Sequence, residues 1–147
     1  MPQLFLANSL YAQITPGGLN PRVGDKLSYA QGATLDAFCS LKGVRPALLK
    51  IDVEGSEVAV LRGASGLLSG SDRPPILIEY NPLTLSECGA NERSVSELLT
   101  GYALYYVDDL EGQVMPLGSP VSRINEITWI CNIYWRRDDA VCSWTNV

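Results

Sequence analysis

The stretch Ala47–Val53, ALLKIDV, decides the fold of this chain. It continues through Glu54-Gly55-Ser56 into EVAVLRGASGLL and ends, after Pro74-Pro75, in Ile76–Glu79, ILIE. ALLKIDV is an almost unbroken apolar run, interrupted by Lys50 and Asp52. Continuous rather than alternating apolarity predicts a strand buried on both faces, as in a parallel sheet. Glu54-Gly55-Ser56 then makes a turn, where glycine tolerates a positive φ or a close backbone approach. A helix over Ser56–Leu68 follows, with Val58, Leu61 and Leu68 on one face. Gly70, Pro74 and Pro75 end it, and Ile76–Glu79 is a second short buried strand. A strand, a helix and a second strand predict a parallel pair joined by a right-handed crossover.

The rest of the chain extends this unit in both directions. Upstream, Leu4–Ala30 reads as a short strand, a turn at Thr15-Pro16-Gly17-Gly18 and an extended segment around Leu27–Ala30. Thr34 can cap a short helix that turns Leu35, Phe38 and Leu41 inward and ends at Gly43. Downstream, a loop contains Asn81-Pro82 and Gly89, and Ser94-Val95-Ser96-Glu97 has the spacing of a capping box. A helix starting there points Leu98 and Leu99 inward and stops at Gly101. Tyr102–Val107 and Ile127–Trp135 read as strands, with a turn at 108–112. The rhythm predicts an α/β fold, the second half of a doubly wound, mostly parallel sheet. Such sheets bind ligands at the carboxyl ends of their strands. Here those ends carry Asp52, Val53 and Glu54, and Glu79, Tyr80 and Asn81.

Composition excludes several functions. The 147 residues fit one domain. With 11 Lys and Arg against 16 Asp and Glu, a net charge of −5 and no basic run, the chain is not suited to a phosphate backbone, so no nucleic-acid partner is expected. There is no histidine, and the four cysteines (Cys39, Cys88, Cys131, Cys142) form no CxxC pair, so no zinc spacing and no Ser–His or Cys–His nucleophile pair is present. The cysteines read as reduced structural thiols of a cytoplasmic protein. No stretch is apolar and long enough to span a bilayer, and Met1–Gln13 lacks the basic region of a signal peptide.

Several pieces of this sequence occur together in a known family. They are Thr34-Leu35-Asp36, then Lys50-Ile51-Asp52-Val53-Glu54-Gly55, then Glu57, Val60-Leu61 and Gly63-Ala64, then Glu79 and Gly101-Tyr102. In this combination, over residues 32–107, the chain resembles the FkbM family of S-adenosylmethionine-dependent methyltransferases, which are Rossmann-like. The resemblance implies methyl transfer from S-adenosyl-L-methionine to a small-molecule acceptor, by O-methylation of a sugar or other metabolite hydroxyl. It also implies that the chain begins after the third strand of the domain. The glycine-bearing turn and ribose-binding acid that hold the cofactor are then missing, so the expectation is a single partial domain, truncated at the N-terminus. In it, residues 32–107 form the core, 1–31 a hairpin-like lead-in and 136–147 a loose tail. The alternative is an inactive module that self-associates or pairs with a separate N-terminal half or another protein. A carboxylate-pair hydrolase built on Asp52 and Glu79 is a further, less supported possibility.

The candidate site residues follow from the strand ends. An oxygen nucleophile benefits from a nearby carboxylate base. Asp52 and Glu54 are the candidate catalytic residues, with Glu79, Asn81 and Lys50 as acceptor-binding residues and Gly55 as the structural turn. Residues two apart on a strand share a face, so Lys50 and Asp52 should point the same way. A structural reading stands beside this one: Glu54 would bind the amides of the following helix, and Lys50 would neutralise Asp52 or Glu79. Asp52 is taken as functional, whereas Glu54 and Glu79 stay open between the two. Asp36 is read as a helix-end charge. No metal is assigned, although clustered carboxylates can hold a divalent cation. The aromatic residues read as packing. Asn81-Pro82 follows the wrong strand to be the Asn-Pro pair of amino-directed methyltransferases.

Overall fold

The computed structural model describes residues 3–7, 12–14, 26–30, 32–118 and 124–137. The first three strands, β1 (Gln3–Ala7), β2 (Ala12–Ile14) and β3 (Lys26–Ala30), form an antiparallel sheet in the order β2-β1-β3. The expected turn at 15–18 and the tail from 138 lie outside the described residues.

After Thr34, the chain forms α1 (Leu35–Lys42), β4 (Leu49–Ile51), α2 (Glu57–Arg62), α3 (Ser65–Ser69) and β5 (Ile76–Tyr80). It continues with α4 (Pro82–Glu87), α5 (Glu92–Leu98), β6 (Tyr102–Asp108), β7 (Gln113–Gly118), a 3-10 turn at Ile124–Glu126 and β8 (Cys131–Arg137). The five later strands form one sheet in the order β4-β5-β8-β6-β7. The expected parallel pair is present: β4 and β5 run together, with Ile51 opposite Ile78. The fold is mixed α/β.

The expectation of a mostly parallel sheet is corrected by β8. The last strand among the described residues inserts between β5 and β6 and runs antiparallel to both. Strand β7 pairs antiparallel with β6 at the sheet's end, so one ladder of four is parallel. Antiparallel neighbours close through short turns, and that at 108–112 is one such turn. There Asp108 Oδ1 accepts the N–H groups of Leu110 and Glu111, and Gly112 takes φ +64°.

Burial on both faces is corrected as well. Only Leu49 and Ile51 of β4 are buried, while Lys50 between them and Leu48 before them are exposed. The same alternation continues across Ile76, Ile78 and Tyr80 of β5 and Cys131, Ile133 and Trp135 of β8. Their side chains share a core with Val58 and Leu61 of α2, Leu68 of α3, Leu85 of α4 and Val95 of α5. Lys50, Glu79 and Asn132 alternate with these core residues and are left less buried. The second face of the sheet therefore carries polar groups that can meet a ligand.

Local signals explain the helices. Thr34 caps α1 as expected, its Oγ1 accepting the Ala37 N–H at 3.1 Å, and Gly43 ends the helix at φ +62°. The inward face differs, however: Phe38 is 49% and Leu41 82% exposed, and Cys39 is buried instead. The expected single helix over Ser56–Leu68 is two, broken at Gly63-Ala64. Asp36 spans that break. Its carboxylate accepts the Gly66 N–H at 2.7 Å and the Leu67 N–H at 2.9 Å, at the positive end of α3. Helix α5 starts earlier than its capping-box spacing suggested, because Asn91 caps it through the Ser94 N–H. Leu99 is buried as expected. The final strand starts at Cys131 rather than Ile127, leaving Trp129 and Ile130 exposed in the preceding loop. No helix among the described residues is long and apolar enough to cross a membrane.

Candidate active site

The parallel pair ends in carboxylates. Asp52 follows β4 directly, Glu54 lies two residues later in the turn, and Glu79 is on β5, one residue beyond Ile78. One oxygen of each carboxylate lies within 4.8 Å of the others. The structure thus brings together three of the residues singled out in the sequence. Like charges at this spacing resist simultaneous ionisation. Burial raises the Glu79 pKa above its ordinary value; the Asp52 charge and a hydrogen bond to the Asp52 side chain raise it further. The Lys50 charge opposes this, and Glu54 adds a smaller upward push. Glu79 therefore holds its proton more readily than an ordinary glutamate, and the spacing of the three oxygens also suits a shared cation.

Lys50 shares its side with Asp52, as the two-residue spacing requires, and its Nζ stands 3.6 Å from Asp52 Oδ2. Both side chains are more than 40% exposed, so this pair contributes little to stability. The ammonium is held on its other side. It donates to Asn132 Oδ1 at 3.1 Å, reaching past β5 to β8. The Asn132 amide nitrogen in turn donates to Asp109 Oδ2 at 3.0 Å. A polar row thus runs from Asp52 through Lys50 and Asn132 to Asp109, beyond the end of β6. Neither Asn132 nor Asp109 is marked by any motif in the sequence. Their partners are 82 and 23 residues away, and nothing local announces that β8 inserts next to β5.

Gly55 is required by geometry. Its φ is +95°, and a Cβ added there would stand 2.4 Å from the Thr84 carbonyl oxygen and 2.7 Å from Cys88 Sγ. Glu54 precedes it at φ +49°, the one non-glycine positive φ among the described residues. The residue that binds the amide of this turn is Glu57, whose Oε1 accepts the Gly55 N–H at 3.1 Å, rather than Glu54. Glu57 is part of the sequence pattern, but the pattern alone gives it no role. A helical signal could have found it: Glu57, Leu61, Ala64 and Leu68 lie along the apolar side of the α2–α3 segment.

Asn81 has a defined local task. Its Oδ1 accepts the N–H groups of Leu83 at 3.1 Å and Thr84 at 3.4 Å, and Pro82 occupies the first helical position. Asn followed by Pro is a helix start. The segment expected to be a loop is therefore α4, and it carries the Thr84 carbonyl that packs on Gly55.

A groove of about 590 Å³ lies elsewhere, between α1 and α3, lined by Asp36, Cys39, Val44, Arg45, Leu67 and Pro74 among others. It opens where the chain enters β4 and β5, away from the carboxylates at their exits. Volume alone does not make it the reaction site, because the chemistry-bearing groups converge at the other edge.

No curated protein and no solved structure matches the chain. The family model described as the methyltransferase FkbM domain matches residues 20–105, a span that contains α1, the parallel pair, the three carboxylates and Glu57. The chain belongs to the FkbM methyltransferase family.

Proposed function

We propose that this chain is the acceptor-side part of a Rossmann-like methyltransferase domain that moves a methyl group from S-adenosyl-L-methionine to a hydroxyl of a sugar or other small metabolite. The convergence of Asp52, Glu54 and Glu79 at the exit of the parallel pair carries this reading. It rests on membership of the methyltransferase family and on the rule that open α/β sheets bind ligands at the carboxyl ends of their strands.

The residues fit part of the cofactor. Three carboxylates with one ammonium among them leave an excess of negative charge, which suits the cofactor's amine and sulfonium. Asp52 and Glu54 would face that charge. When bound, the cofactor supplies an electrophilic methyl group on a sulfonium.

In this reading the chain's own residues manage a proton and an approach direction. Asp52 would take up the proton that the acceptor hydroxyl gives up, and Glu54 would orient the same hydroxyl. Glu79 and Lys50 line the acceptor side, and Asn132 keeps the Lys50 ammonium from closing over Asp52 completely. Holding the acceptor in line supplies much of the acceleration. A panel of hydroxyl-bearing acceptors incubated with methyl-labelled S-adenosylmethionine tests this: label must appear in an ether product with wild-type chain and drop with Asp52→Asn.

A second reading is favoured by one observation. Strand β4 is at the edge of its sheet, and Phe38, Leu41, Val44 and Leu48, on α1 and in the approach to β4, are all at least 47% exposed. An exposed strand edge beside apolar side chains suits association. Here the chain would be inactive alone and act by pairing with a separate N-terminal half, with another protein or with itself. Light scattering of the isolated chain separates the readings: a monomer that methylates acceptors excludes the second.

A further inference from the structure

Among the described residues Glu57 is the one charged side chain that is fully buried, at 2% exposure. Only one of its oxygens is served. Oε1 accepts the Gly55 N–H, while Oε2 is buried without a hydrogen-bond partner. A buried carboxylate left half-satisfied opposes folding. Its position shows what it accomplishes. Glu54 and Gly55 are consecutive left-handed residues, a conformation that a glutamate adopts only under constraint. The Ser56 N–H closes the turn they form by donating to the Val53 carbonyl at 3.2 Å, and the turn is clamped from two further sides. The end of α4 presses on Gly55 through the Thr84 carbonyl and Cys88 Sγ, and Glu57 holds the Gly55 amide. Ser56, which opens α2, makes no side-chain cap bond, and Glu57, the first residue of the helix, reaches back to the turn instead. With the clamp removed, Glu54 would relax to negative φ and its Cβ would swing away from Asp52 and Glu79.

We propose that Glu57 is a positioning residue for the carboxylate site: by accepting the Gly55 N–H it keeps Glu54 left-handed and fixes where the Glu54 carboxylate meets Asp52 and Glu79. The consequence for turnover rests on the methyl-transfer reading; the consequence for the turn does not. Two variants separate the acceptor oxygen from the charge. Glu57→Gln keeps an oxygen for Gly55 and removes the charge, and Glu57→Leu fills the space with no acceptor. On isotope-labelled chain, the Gly55 amide exchange rate and the Glu54 amide–α-proton coupling are read alongside turnover. Wild type and Glu57→Gln should show the same Glu54 coupling and a protected Gly55 amide. In Glu57→Leu the amide should exchange roughly tenfold faster or more, while the Ile133 amide in mid-sheet stays protected. Turnover should fall in the Leu variant and return in the Gln variant. An unprotected Gly55 amide in wild type overturns the proposal before any variant is made, whatever the Leu variant does on folding. Gln behaving like Leu, or Leu leaving both signals unchanged, also overturns it. Absence of turnover in wild type would sink the methyl-transfer reading, while the exchange and coupling data still decide the role of Glu57.

Discussion

Gly55→Ala tests the packing of the turn that carries the site. Two costs apply. The φ of +95° places an L-residue in a region that opposes it by about 1–2 kcal/mol. The new Cβ would also stand 2.4 Å from the Thr84 carbonyl oxygen, a backbone atom that moves only with α4, and overpacking of this kind costs about 1–3 kcal/mol. The sum is about 2–5 kcal/mol. Gly43→Ala is the internal control: φ there is +62° and nothing lies within 4 Å of the new Cβ, so only the conformational cost of about 1–2 kcal/mol applies. Urea melts of both variants against wild type, read as midpoint changes at constant slope, give the two values. Gly55→Ala should be the more destabilised by about 1–3 kcal/mol, the overpacking term alone. Equal losses, or a Gly55→Ala loss below about 0.5 kcal/mol, the usual range of a surface change, would refute the packing of α4 on the turn.

Three further outcomes follow from the site. Glu79 has a folded pKa raised above the ordinary 4.5, so its contribution to stability is present below that value and is lost as pH rises through the folded midpoint. Glu79→Gln should therefore gain on wild type as pH rises across that window in paired urea melts, and a constant difference would show that Glu79 is unperturbed. Asn81→Ala removes the cap of α4 and should cost about 1 kcal/mol in the same melts. If Asn81 only caps, acceptor KM stays at the wild-type value; a raised KM restores it to the acceptor pocket. Asp52→Asn should lower turnover by roughly a hundredfold while leaving the melting temperature nearly unchanged, because the Lys50 pair it weakens is exposed.

The sequence made the centre of the fold legible and its margins less so. ALLKIDV and ILIE, separated by a helical pattern, suffice for the parallel pair, and their acidic ends suffice to bring Asp52 and Glu79 together. Strand β7 was not anticipated, because QVMPLG contains Pro116 and Gly118; both are tolerated there since β7 is an edge strand and its pairing with β6 shifts register beside them. The insertion of β8 between β5 and β6 is a pairing between distant segments, and no periodicity within Cys131–Arg137 specifies its neighbours. With β8 unplaced, the contacts of Asn132 with Lys50 and Asp109 could not be read. Helix α4 is hidden for a different reason: Asn81-Pro82 invites reading as a motif for chemistry, whereas it is a cap followed by a first-turn proline. Glu57 is hard to read because an acidic residue next to a glycine turn looks like surface, and only its phase with Leu61 and Leu68 marks it as interior.

Transfer of labelled methyl from S-adenosylmethionine to hydroxyl acceptors, measured with wild type and Asp52→Asn on folded protein of matched melting temperature, decides whether Asp52 takes the acceptor's proton. The carboxylate site as the acceptor's proton-accepting centre predicts an ether product with wild type and roughly a hundredfold less with Asp52→Asn. Equal rates in the two proteins would contradict it and return Asp52 to the role of a counterion for Lys50.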